Sequence, residues 1–70
     1  MRVTVETFPA HRRQTVELPN GATGLVLLKG LHLAPDAHLL VRGETPLPLD
    51  EVLVDGEKVR VIPVVSGGRD

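Results

Sequence analysis

Seventy residues leave room for one small domain, and a chain this short buries only ~60% of its extended surface, too little to wall a deep catalytic cavity alone. The 41% hydrophobic content is almost wholly aliphatic, with one Phe, one Met and no Trp, Tyr or Cys. That excludes a disulfide scaffold, a cysteine nucleophile, a zinc–cysteine site and an aromatic base-stacking platform. Eight Lys and Arg against nine Asp and Glu give a net charge of −1, so no overall field draws in nucleic acid or an anionic membrane. No apolar stretch approaches the ~20 residues that cross a bilayer, and Met1-Arg2-Val3-Thr4 lacks a signal-peptide layout, so the expected compartment is the cytoplasm.

Met1, Val3 and Val5 alternate with Arg2, Thr4 and Glu6, which predicts a first strand with one buried face. Pro9-Ala10-His11-Arg12-Arg13 interrupts it as a loop, and Gln14-Thr15-Val16-Glu17-Leu18 alternates again, so the two strands read as a hairpin. After Pro19-Asn20-Gly21, Thr23 can cap a helix over Gly24 to Lys29 that Gly30 closes in a left-handed conformation. Leu25-Val26-Leu27-Leu28 has no clear helical period and also suits a buried strand; the paired start and stop signals favour the helix. Ala34-Pro35-Asp36-Ala37 reads as a turn, and the run Leu39-Leu40-Val41 suits a strand covered on both faces. Thr45-Pro46-Leu47-Pro48-Leu49 has too many prolines for an interior strand and is a loop or an edge. Asp55-Gly56-Glu57 is a turn, after which Val59 and Val61 alternate with Lys58 and Arg60 until Pro63. The order gives an α+β fold, a sheet of four to five strands with one helix packed on one face and aliphatic residues left on the other.

His11, His32 and His38 are the only side chains of the imidazole type that serves acid–base chemistry at physiological pH. The spacing of His32 and His38, even with Asp36, matches no established metal pattern, so no metal is expected. His11-Arg12-Arg13 reads as a solvated basic hairpin tip, with a phosphate or RNA contact as the weaker alternative. Asp50-Glu51 and Asp55-Gly56-Glu57 read as solvated turns, and Ser66 has no base at a defensible distance. Gly67-Gly68 is either a passive flexible end or a reactive one. Pro63 holds the chain extended and lacks an amide proton, so the residues after it can leave the sheet as a peptide whose side-chain-free tip passes a narrow channel.

The string Asp55-Gly56-Glu57-Lys58-Val59-Arg60-Val61-Ile62-Pro63-Val64-Val65-Ser66-Gly67-Gly68, with Val41-Arg42-Gly43-Glu44 and the helix between Thr23 and Gly30, resembles the ubiquitin-like sulfur carriers of the MoaD/ThiS type. The resemblance covers nearly the whole chain. It implies a β-grasp domain over residues 1–66 and a C-terminal tail over 67–70. It further implies that an adenylyltransferase resembling the ubiquitin-activating enzymes, supplying ATP and Mg, activates the Gly68 carboxyl, with Val65, Ser66 and Gly67 threading its site. A sulfurtransferase would then make a thiocarboxylate for an acceptor synthase in molybdopterin, thiamine or tRNA thiolation, and some relatives are joined to lysines instead. The protein is then a carrier, not an enzyme, and binds no cofactor itself. Arg69 and Asp70 depart from the family's terminal glycine, which implies removal by a JAMM-type zinc metalloprotease. Lys58 and Arg60 are the candidate partner surface. A β-grasp module that binds protein or RNA, with a passive tail, is the alternative.

Overall fold

The computed structural model describes residues 1–8 and 11–64. The first strand, β1 (Arg2–Thr7), buries Val3 and Val5 completely and turns the intervening polar residues to the opposite face. It pairs antiparallel with β2 (Arg12–Glu17), from Arg2 opposite Glu17 to Thr7 opposite Arg12. Arg12 and Arg13 therefore belong to the strand and not to the loop expected from the sequence. Their charge is no obstacle, because β2 is exposed along an edge of the sheet, where arginines are well tolerated.

The helix α1 (Gly24–Gly30) begins as its sequence predicts: Thr23 Oγ1 accepts the Val26 N–H at 3.4 Å, and Leu27 and Leu28 are fully buried beneath it. Its other end differs from expectation. Gly30 remains helical, and the left-handed residue is His32, with φ 60. The His32 N–H donates to the Lys29 carbonyl at 3.1 Å and the Leu33 N–H to the Leu28 carbonyl at 2.9 Å, the two closing bonds of a Schellman motif. Those bonds, with Leu31 and Leu33 packed against the core, offset the roughly 1–2 kcal/mol that a left-handed non-glycine residue costs.

A short 3-10 turn (Pro35–Ala37) leads into β3 (His38–Arg42), followed by the edge strand β4 (Thr45–Leu47) and finally β5 (Lys58–Pro63). The sheet order is β2-β1-β5-β3-β4; β1 and β5 run parallel and the other pairs antiparallel. Val59 and Val61 of β5 face the helix with Val3, Val5 and Leu40, as the alternation predicts. Only that face is covered, so the expectation that β3 is buried on both sides fails: Leu39 is 43% exposed because no second layer among the described residues meets it.

Between β4 and β5 the chain runs past the start of α1 without forming a named strand, touching it through an isolated bridge of Val52 with Thr23. The Glu51 carbonyl accepts the Gly24 N–H at 3.2 Å and the Leu49 carbonyl the Leu25 N–H at 2.9 Å. These satisfy two of the amides that every helix start leaves without an intrahelical partner. Arg42 anchors the same crossing, donating from Nε to Glu57 Oε1 at 2.6 Å and from Nη2 to the Val52 carbonyl at 3.2 Å. Partial burial pushes the Glu57 carboxyl up, but hydrogen bonds from Arg42 and from the Val54 N–H outweigh it and hold the group below the ordinary carboxylate range.

Candidate functional site

The uncovered face of the sheet brings side chains together through strand register. Arg13 of β2 lies opposite Glu6 of β1, Glu6 opposite Arg60 of β5, and Arg60 opposite Val41 of β3. Arg13 donates to Glu6 Oε2 from Nη2 at 3.0 Å and from Nε at 3.2 Å, while Arg60 Nε stands 4.0 Å from Oε1. The Arg13 hydrogen bonds, helped by the nearby positive charges of Lys58, Arg13 and Arg60, hold the Glu6 carboxyl below its usual range against a smaller opposing effect of burial. Lys58 and Arg60 thus lie on the open face where they were expected, but Arg60 has a carboxylate neighbour within its own sheet.

Beside this charged group the same face turns apolar. Leu39 lies opposite Ile62, with Val41 two pairs further along and on the same face. Phe8, whose N–H continues the ladder to the Val61 carbonyl at 3.1 Å, shares an open groove with Glu6, His11 and Arg13. Past Pro63, the Val64 N–H still donates to the Ala37 carbonyl at 2.9 Å. The chain is therefore tethered as far as Val64, at the end of the middle strand of the sheet and next to the Leu39 and Ile62 pair. Val65, Ser66, Gly67, Gly68, Arg69 and Asp70 lie outside the described residues.

The histidines are scattered. His11 stands edge-on to Phe8 with ring centroids 5.0 Å apart, His32 closes α1, and His38 Nδ1 lies 2.9 Å from the Ala34 carbonyl. Among the described residues no group of three or more His, Asp or Glu side chains is arranged to hold a metal ion. No helix of the described residues is long and apolar enough to cross a membrane. Glu6, Phe8, Leu39 and Ile62 do not stand out in the sequence; their juxtaposition depends on pairing between strands far apart in the chain, and only the Glu6 and Arg13 pair carries a local signal, through the hairpin.

No protein-family model and no curated protein matches this chain. Its architecture, a five-stranded mixed sheet with one helix on one face, is the ubiquitin-like β-grasp. Among solved structures it is similar to SAMP1 from Haloferax volcanii, with a TM-score of 0.75 and 19% sequence identity over 97% of this chain and 100% of that one.

Proposed function

We propose that the protein is a ubiquitin-like sulfur carrier whose working group is the carboxyl of Gly68, exposed by removal of Arg69-Asp70. The observation that carries this reading is the meeting of two features at one end of β5. Among the described residues the final backbone hydrogen bond along the chain is that of the Val64 N–H to the Ala37 carbonyl, and the string Val65-Ser66-Gly67-Gly68 comes directly after it in sequence. Fully extended, those residues reach at most ~14 Å beyond Val64, so a reaction centre that takes the Gly68 carboxyl lies within that distance of the Leu39 and Ile62 end of the sheet. The fold neighbour SAMP1 is itself a ubiquitin-like small archaeal modifier, which supports a carrier or modifier over an enzyme.

In this reading the chain supplies position and a carboxylate. An adenylyltransferase holding ATP and Mg joins the Gly68 carboxylate oxygen to the α-phosphorus with release of pyrophosphate, which converts a poor leaving group into AMP. Attack by a sulfurtransferase persulfide on the acyl carbon expels AMP and forms an acyl disulfide; a second thiolate of the sulfurtransferase then cleaves the S–S bond, which releases the thiocarboxylate and leaves a disulfide on the sulfur donor. The absence of Cβ at Gly67 and Gly68 lets the partner close around the backbone. Sulfur then passes to a molybdopterin, thiamine or tRNA acceptor, or the same activated carboxyl is joined to a lysine.

Two forms of the chain, ending at Asp70 and at Gly68, separate this reading from a β-grasp binding module with a passive tail. Given the activating enzyme of the same cell and ATP, the Gly68 form releases pyrophosphate and the Asp70 form does not. Equal inactivity of both overturns the proposal.

A further inference from the structure

The two edges of the sheet are not alike. On one side β4 is only three residues long and carries Pro46, both of which discourage further pairing; on the other, β2 is six residues long and carries no proline. Met1 and Leu18 exchange both backbone bonds at 2.8 Å, which sets the alternation of the β1 and β2 ladder. Leu18, Val16, Gln14 and Arg12 therefore direct their backbone groups at β1, and Arg13, Thr15 and Glu17 direct theirs away from it. None of these three makes a backbone bond to another element among the described residues, and all three are exposed.

We infer that β2 is a self-pairing edge, whose partner is the β2 strand of a second copy of this chain in antiparallel register. A twofold axis perpendicular to the sheet at Thr15 places Thr15 opposite Thr15 of the second copy and Arg13 opposite Glu17 of the second copy. Every outward N–H and C=O of Arg13, Thr15 and Glu17 then finds a partner, each facing pair exchanging both of its bonds. A register shifted by two residues in either direction leaves Arg13 or Glu17 without an opposing residue from this set.

Charge selects the same register. In one copy Arg13 is paired with Glu6 at 3.0 Å, and Glu17 with Arg2 at 2.6 Å. Across the axis these join into one cross-strand row on the open face: Glu6, Arg13, then Glu17 and Arg2 of the second copy, alternating in sign throughout. Pairing of this kind unites two five-stranded sheets into one, with both helices on the same side. Because β1 lies between β2 and β5, the Val64 end of each copy stays clear of the junction, so the inference does not depend on the proposed sulfur chemistry.

Sedimentation equilibrium of the full chain at low ionic strength, up to millimolar concentration, is expected to show a reversible monomer–dimer equilibrium. Amide exchange at Thr15 and Arg13 is expected to slow as concentration rises, while Gln14 and Val16 are already protected at any concentration. Arg13→Glu and Glu17→Arg each set like charges opposite one another twice per dimer and weaken self-association about tenfold or more. An equimolar mixture of the two variants restores dimers, since each then meets its opposite charge. The exchange measurement needs no substitution: concentration-independent exchange at Thr15 in the parent, or a parent that sediments as a monomer at millimolar concentration, overturns the inference. Variants that dimerise like the parent, or a mixture that fails to recover, overturn the register.

Discussion

Alanine in place of Gly24 and alanine in place of Gly30 are the same chemical change at the two ends of one helix, and the packing around them predicts opposite signs. A Cβ at Gly24 meets Leu40 Cδ1 at 2.5 Å and the Leu49 Cα and Pro48 carbonyl oxygen at 3.5 Å. Ordinary contact begins at 3.4 Å, so the overlap with the leucine methyl is 3.4 − 2.5, or 0.9 Å. Leu40 is 1% exposed and cannot swing into solvent; it must find another rotamer in a filled core. Overpacking of this kind costs ~1–3 kcal/mol, and the gain in helix propensity returns at most ~1 kcal/mol. The net expectation is a loss of about 1–2 kcal/mol, or a fall in Tm of roughly 5–15 °C for a domain of this size. At Gly30 nothing lies within 4 Å and the backbone is helical, so alanine is expected to stabilise by ~0.4–1 kcal/mol by restricting the unfolded chain. Urea titration of both variants beside the parent measures the difference directly. Should Gly24→Ala prove as stable as Gly30→Ala, the close approach of α1 to Leu40 of β3 is wrong.

Three further variants probe other parts of the molecule. Glu57→Gln removes the charged acceptor shared by Arg42 and the Val54 N–H and is expected to cost ~1.5–3 kcal/mol by urea titration. The parent holds the Glu57 and Glu6 carboxyls below the ordinary value of 4.5, so their contribution is complete above that pH and is lost as pH falls through the lower folded-state values. Urea midpoints should therefore decline below about pH 4.5, and less steeply in Glu57→Gln; parallel declines would contradict the assignment. Under the proposed function, Lys58→Gln with Arg60→Gln is expected to slow association with the proposed activating enzyme, most clearly at low salt, with a stability change within ~1 kcal/mol. Neutral replacements are preferred because charge reversal would crowd Glu6 with further carboxylates. Unchanged association rates would remove the open face from the docking surface. Gly67→Val should melt like the parent yet fail in adenylation, and normal pyrophosphate release by this variant would make the double glycine a mere spacer.

Features carried by near neighbours in the chain are legible in the sequence alone. Alternation locates β1 and β5 and assigns Val59 and Val61 to the core, and Thr23 marks the start of α1 because a capping bond spans only a few residues. Where expectation and structure differ, the cause is shared: local conformation depends on distant contacts. Gly30 is the natural left-handed residue by propensity, but Leu33 packing on the core sets where the chain must turn, and that falls at His32. The run Leu39-Leu40-Val41 suggests double cover because hydrophobicity does not report how many layers are present to supply it. The Glu6, Arg13 and Arg60 group and the Arg42 and Glu57 pair arise from register between strands and across a crossing segment, which no window along the chain contains.

The role proposed for the Gly68 carboxyl is tested most directly by the intact mass of the chain purified from its native cell under conditions that preserve thioacids. The expected species ends at Gly68, with a fraction in which one sulfur replaces one oxygen and which an alkylating reagent for thiocarboxylates shifts in mass. Chains that end only at Asp70, in cells actively making the sulfur-containing product, would contradict that role.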